Sequence, residues 1–197
     1  MVLNGNIKYM ENNLENNYVV GLDISTSCVG YTIFNLNGKL IEANCVKFKD
    51  KITIFEKLEE FKKATEYLKN LPIKYIAIEE PLKKFMGKFS SATTIALLNF
   101  FNGMISSYLF ITFGMEPFYF NVNNARSLAF PGMKVEREGN SMKHAIWELV
   151  MQMEPLIDWK YGPKSRKLLD ENYDISDSYV ISLAMLITLD KQKIITS

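Results

Sequence analysis

Two periodicities divide the chain. Apolar residues concentrate in Tyr18-Val19-Val20-Gly21-Leu22 up to Asp23, in Val29–Asn35 and Lys39–Lys47, and again in Ile73–Glu79. Short runs rich in Val, Ile and aromatic residues, bounded by turn residues, predict strands. The Ile73–Glu79 run is apolar enough for the centre of a sheet. Asn37-Gly38 favours a tight hairpin between the second and third strands. From Thr53 to Asn70 the period changes: Ile54, Leu58, Phe61 and Leu68 share one helical face with Glu and Lys opposite, and Pro72 closes the helix. A long helix is expected from about Ser90/Ser91 and a fifth strand over Glu116–Val122. Asn123 or Asn124 is expected to cap a short helix carrying Arg126. Pro131–Asn140 reads as irregular, Ser141 as the cap of a helix running to about Met153, and a connection over 155–167 leads to a last helix over Asp174–Asp190. This order predicts an α/β layered domain with a mixed sheet.

The length of 197 residues and a hydrophobic fraction of 48% suffice for one packed domain. Residues 1–17, rich in Asn and Glu, read as a poorly ordered extension ahead of a single domain over 18–197. The longest apolar stretch, Ile95–Phe113, is interrupted by Asn99, Asn102, Gly103, Ser106 and Ser107, and reads as a buried helix rather than a membrane span. The first residues lack the charged-then-apolar layout of a secretory signal, so a cytoplasmic protein without a membrane partner is expected. Cys28 and Cys45 have no metal-ligand spacing and read as buried thiols of a reducing compartment, with no disulfide. Phe100, Phe101, Tyr108 and Phe110, at helical spacing, read as core with one face open to a dimer contact. His144, the single histidine, reads as a helix-surface residue.

Charge changes the picture through its distribution. Twenty-three Lys and Arg against twenty-two Asp and Glu give a net charge of only +1. Yet residues 81–89 hold Lys83, Lys84 and Lys88 and no acid, and residues 160–167 hold Lys160, Lys164, Arg166 and Lys167 and no acid. Other acids gather on the predicted helix at Glu56, Glu59, Glu60 and Glu66. Basic loops set apart from an acidic helix suit a polyanionic partner.

The candidate chemistry lies in four carboxylates. Asp23 ends the first strand, Glu79 ends the fourth, and Asp174 and Asp177 open the last apolar helix. Carboxylates at the ends of buried strands are costly unless something cationic stands among them, and such a set is what a two-metal phosphodiester hydrolase needs. Asp174-x-x-Asp177 also has the form of a plain helix start, with Asp174 at the N-cap and Asp177 favoured by the helix dipole. Glu79 and Glu80 point to opposite sides of a persisting strand, so one of them faces Asp23; Glu79 is the first choice and Glu80 the second.

The run Gly21-Leu22-Asp23-Ile24-Ser25-Thr26-Ser27-Cys28-Val29-Gly30-Tyr31 resembles the first motif of the RuvC family of Holliday junction resolvases, within the RNase H-like superfamily. Ile78-Glu79-Glu80, Gly139-Asn140-Ser141-Met142-Lys143 and Tyr173-Asp174-Ile175-Ser176-Asp177 through Ala184 resemble its further motifs, in the same order. The resemblance implies an RNase H-like fold: a central five-stranded mixed sheet in the order 3-2-1-4-5, strand 2 antiparallel, with helices on both faces. It implies that Asp23, Glu79, Asp174 and Asp177 bind two Mg²⁺ ions, with Mn²⁺ as a substitute, and that Lys143 stands near the scissile phosphate. It implies paired nicks in branched DNA by a homodimer. The nucleic-acid contacts expected are Lys83, Lys84, Lys88, Arg126, Lys134, Lys143, Lys164, Arg166 and Lys167, with Arg126 and Lys134 both open as the family's second basic residue. Ser25 stands where the family often has Gly. The shared acids do not separate a junction resolvase from a flap, debranching or RNA–DNA hybrid endonuclease on the same fold. An actin- or Hsp70-like ATPase needs further Gly-rich phosphate loops, and no Gly-Gly dipeptide occurs anywhere in the chain.

Overall fold

The computed structural model describes residues 16–81, 92–133, 141–164 and 166–196. Lys83, Lys84, Lys88 and Lys134, most of the expected N-terminal extension and the Leu82–Phe89 loop lie outside the described residues. Five strands, β1 (Tyr18–Ile24), β2 (Cys28–Asn35), β3 (Leu40–Lys47), β4 (Ile73–Glu79) and β5 (Phe118–Phe120), form one sheet in the order β3-β2-β1-β4-β5. β2 is antiparallel to β1 and β3, whereas β4 runs parallel to β1 and β5 parallel to β4. This is the mixed RNase H-like sheet implied by the motifs.

Helices cover both faces. Helix α1 (Ile54–Ala64) and helix α2 (Ala92–Phe113) pack on one face, where Phe61, Phe101, Ile105 and Leu109 meet Val20, Leu22, Ile76 and Ile78. The other face is covered by α3 (Val122–Ala129), α4 (Met142–Met153) and α5 (Glu171–Thr196), with Ala125, Ile146, Val150, Tyr179 and Val180 set against Val19 and Ala77. Alternate residues of β1 therefore feed two separate cores, as a central strand requires.

Several boundaries differ from the sequence expectations, each for a local reason. The expected helix over Thr53–Asn70 is an α-helix only as far as Ala64; the buried Thr65 hydroxyl donates to the Phe61 carbonyl (2.8 Å), and a 3₁₀ turn, Glu66–Asn70, completes it. The cap of α3 is Asn121, whose side chain accepts from the Asn123 amide at 3.1 Å, so neither Asn123 nor Asn124 plays that part. Ser141 does cap α4, accepting from the His144 amide at 3.3 Å. Helix α5 starts at Glu171, three residues ahead of the expected start, so Asp174 lies inside the first turn and is not its N-cap.

Helix α2, read as a buried helix, is buried along one side only. It is 22 residues long and apolar enough, by length and composition, to cross a membrane, yet only 28% of its most apolar window is buried. Its inner face packs on the sheet, while Leu97, Phe100, Phe110 and Ile111 are exposed. Of the aromatics read as core, Phe101 is buried and Tyr108 half-buried, and Phe100 and Phe110 lie outside. Cys28 is buried and Cys45 half-buried, and both are free thiols.

Candidate metal centre

The site is built where the sheet opens. The β1–β4 ladder ends at Leu22↔Ile78, one residue before Asp23 and Glu79, while Asp23 goes on pairing with Gly30 of β2 and Glu79 with Phe120 of β5. The two carboxylates thus stand at a fork between parallel strands, the place where open α/β sheets characteristically hold ligands. The chain turns back to β2 through Ser25. Its hydroxyl donates to the Cys28 carbonyl (2.7 Å) and accepts from the Cys28 amide (3.0 Å), so Ser closes by side-chain bonds a turn where Gly would rely on backbone freedom. Lys57 of α1 ties down the same turn by donating to the Thr26 carbonyl at 2.5 Å.

Two glycines bring α5 onto the fork. A Cβ on Gly21 would stand 2.6 Å from the Ser182 nitrogen and 2.8 Å from the Ser178 carbonyl oxygen, and one on Gly30 would collide with the Asp174 carbonyl and lie 2.9 Å from the Ile175 nitrogen. Without side chains there, the α5 backbone rests directly on β1 and β2. Small polar residues stitch the contact: the Ser178 and Thr32 hydroxyls share a hydrogen bond of 2.8 Å, and Ser182 donates to the Thr32 carbonyl at 2.9 Å. Because Gly30 lies opposite Asp23 in the β1–β2 register, the carboxylates of α5 arrive over the end of β1.

One oxygen each from Asp23, Glu79 and Asp177 lies within 4.8 Å of the others. Asp174 lines the same open cleft, a cavity of about 310 Å³, together with Lys143, Arg126 and Asn102. Arg126 Nη2 stands 2.7 Å from Asp177 Oδ1, and Lys143 Nζ stands 3.6 Å from Asp177 Oδ2. Asp177 is 3% exposed and Lys143 54% exposed, so a buried carboxylate is gripped by one sheltered cation and one open to the cleft. Glu80 also lines the cleft, yet Glu79 is the one whose carboxylate joins the acid group.

The electrostatics match a cation site. Burial, then the nearness of Glu79, Asp177 and Asp174, holds the Asp23 carboxyl well above the usual range, with Lys143 in partial opposition. Burial and Asp177 push Glu79 up to about 7 against the pull of Lys143 and Arg126. Burial pushes Asp174 up to about 6, offset by Lys143 and by a hydrogen bond from the Cys28 thiol. Burial lowers the Lys143 ammonium pKa, but Asp23, Asp177, Asp174 and Glu79 outweigh it and leave the group above its ordinary value. Carboxylates that raise one another this far lose that penalty when a divalent cation joins them. An all-oxygen donor set fits Mg²⁺ or Mn²⁺ better than zinc.

The other candidates are placed differently. Lys164 and Arg166 are exposed on the turn closed by the Tyr161↔Leu168 bridge, and neither lines the cleft that holds the acids. Lys167 lines a second cleft of about 330 Å³ beside Lys47, Glu171 and Asp174, so Asp174 separates two adjoining depressions. Lys47 forms an ion pair with Glu171, and Lys160 with Asp158. His144 is not a plain surface residue: it is half-buried, set at a tilt against the Trp147 ring and hydrogen-bonded to Tyr173. The sequence reading passed over the seating of α5 on Gly21 and Gly30. Its signal was two strand glycines together with the small residues Ser178, Ser182 and Ala184 on the last helix.

Two solved structures share this fold. Thermus thermophilus RuvC in complex with a Holliday junction substrate superposes with a TM-score of 0.62 at 13% identity, over 88% of this chain and 95% of that one. The yeast mitochondrial Holliday junction resolvase Ydc2 superposes with a TM-score of 0.59 at 13% identity, over 90% of this chain and 81% of that one. The chain has the RuvC-type resolvase fold. No protein-family model and no curated protein sequence matches it. The similarity thus lies in the backbone.

Proposed function

We propose that this chain is a metal-dependent endonuclease that resolves four-way DNA junctions by paired symmetric nicks. The observation that carries the reading is the meeting of Asp23, Glu79 and Asp177 within 4.8 Å, in a cleft shared with Asp174, Lys143 and Arg126. Two Mg²⁺ ions held by Asp23, Glu79, Asp174 and Asp177, or Mn²⁺ in their place, would supply the acidity that turns water into a nucleophile and the charge that stabilises the leaving oxygen. The chain's own residues do the rest. Arg126 fixes the rotamer of Asp177. Lys143, open to the cleft, offsets charge on the five-coordinate phosphorus. In-line attack breaks the bond from phosphorus to the 3′-oxygen, leaving a 5′-phosphate and a 3′-hydroxyl.

Lys164, Arg166 and Lys167, with Lys83, Lys84, Lys88 and Lys134, would contact DNA phosphates, so affinity should fall steeply with salt. Selection would rest on junction shape, since no base-reading module is present among the described residues. Paired nicks call for two sites related by a two-fold axis. The outer face of α2 supports such a dimer: Phe100 and Phe110 flank Gly103 and Ser107, and a Cβ on Gly103 would meet nothing within 4 Å, which leaves an apolar strip that a second copy of the same helix would cover.

The deciding experiment offers labelled four-way junction, flap, plain duplex and RNA–DNA hybrid to the purified protein with Mg²⁺ or EDTA. Symmetric nicking of the junction, abolished by EDTA, is the expected outcome. Equal cutting of every substrate would remove the junction specificity, and no cutting of any would remove the nuclease reading. Asp174→Asn should bind junctions without cutting them; a variant that still cuts would take Asp174 out of the site.

A further inference from the structure

We infer that His144 is a positioning residue for Lys143, acting through a link from the first turn of α4 to the first turn of α5; the inference rests on the nuclease reading above. His144 Nδ1 and the Tyr173 hydroxyl share a hydrogen bond of 3.2 Å, and His144 Nε2 stands 3.4 Å from Glu148 Oε1 one turn along α4. With the ring proton on Nε2, toward the Glu148 carboxylate, Nδ1 accepts from the Tyr173 hydroxyl. The imidazole is further pinned by Trp147, with ring centroids 5.1 Å apart, and its backbone amide is held by the Ser141 cap.

The two linked residues are chain neighbours of two cleft residues, since Lys143 precedes His144 and Asp174 follows Tyr173. The link therefore spans the gap between α4 and α5 at the level where the ammonium must meet the acids. Lys143 needs such help. Its side chain is 54% exposed, and its ion-pair partner, Asp177 Oδ2, lies 3.6 Å away, too far to fix one rotamer. A flexible lysine delivers its charge to one point only if its backbone is anchored close by. His144 and Tyr173 provide that anchor from two different helices without touching the acids themselves.

The test is a double-mutant cycle on junction cleavage at saturating Mg²⁺, with Lys143→Ala, His144→Ala, the two combined, and Tyr173→Phe. His144→Ala and Tyr173→Phe should each lower kcat about ten-fold, with KM and the Mg²⁺ midpoint unchanged. His144→Asn, whose amide can stand where Nδ1 stands, should recover most of the loss. In the Lys143→Ala background His144→Ala should cost nothing more. Equal losses in both backgrounds would reveal a merely structural role and overturn the inference, as would full activity of His144→Ala. A substrate-free arm keeps the link testable if the wild-type protein cuts no junction, an outcome that would count against the nuclease reading alone. The acylation rate of Lys143 Nζ by an amine-reactive ester, followed by peptide mass spectrometry, should rise several-fold in His144→Ala and Tyr173→Phe; an unchanged rate overturns the link.

Discussion

Arg126 Nη2 reaches Asp177 Oδ1 at 2.7 Å from α3, so the most deeply buried acid of the cleft is held by a cation from another helix. Both side chains are sheltered, 14% and 3% exposed, and a pair in such surroundings resists the loss of either member. Removing the arginine leaves that buried charge to the more distant Lys143 ammonium alone. Arg126→Ala should lower the unfolding free energy of the metal-free protein by about 3 kcal/mol. Mg²⁺ should restore part of that loss, because a bound cation takes over the pairing. Urea denaturation with and without Mg²⁺ measures both. A variant as stable as wild type in EDTA would show that the pair contributes nothing.

The raised acids make the metal-free protein sensitive to pH. Glu79 is lifted from 4.5 to about 7, and Asp174 from 3.8 to about 6. Each binds its proton more tightly folded than unfolded, so its stabilising contribution is full below about pH 4 and is lost as pH climbs through 6 to 7. In EDTA the melting temperature should therefore carry a downward component across that window, and Glu79→Gln should flatten it. Mg²⁺ should raise the melting temperature far more on the alkaline side of the window than on the acid side. Identical profiles for wild type and Glu79→Gln would rule out this linkage.

The seat of α5 on the sheet is equally testable. Gly30→Ala places a methyl group against the Asp174 carbonyl, and backbone cannot yield as a side-chain tip can. We expect a loss of about 1–3 kcal/mol, typical of overpacking, together with a greater loss of Mg²⁺-dependent activity, since the shift falls on Asp174. Gly38→Ala is the control. A Cβ there meets nothing within 4 Å, and its positive φ of 82° makes the change cost stability alone. Equal activity losses in the two variants would argue against the seating role.

The α2 face predicts assembly. Phe110→Asp puts a charge on a side chain already 52% exposed, so the fold should survive with an unchanged circular dichroism spectrum. Light scattering after size exclusion should report a dimer for the wild type and a monomer for the variant. A wild-type monomer at micromolar concentration would remove this face as the interface.

The alternation of apolar runs and helical periods was enough to place all five strands and most helices, because burial on both faces of a central strand writes itself directly into composition. The misplaced boundaries share a cause. Thr65, Asn121 and Glu171 settle where helices stop or start through single hydrogen bonds or local packing, which a hydrophobic pattern does not encode. Helix α2 misled for another reason. Its outer face is as apolar as its inner one, so the pattern carries no sign of which side meets the sheet. His144 was misread because its partners, Tyr173 on α5 and Trp147 one turn along its own helix, become visible only once α4 packs on α5.

Sequence alone determined which residues could do the chemistry: Asp23 and Glu79 at strand ends, Asp174 and Asp177 one turn apart on a helix, and Lys143 just inside a capped helix. Those placements are local, and local periodicity reports them. The tertiary structure decided how these groups meet. It opened the β1–β4 fork that sets Asp23 beside Glu79, brought Arg126 as well as Lys143 to Asp177, and lowered α5 onto Gly21 and Gly30. Such contacts join residues far apart in the chain, and their energies depend on distances of a few ångströms that no single segment can specify.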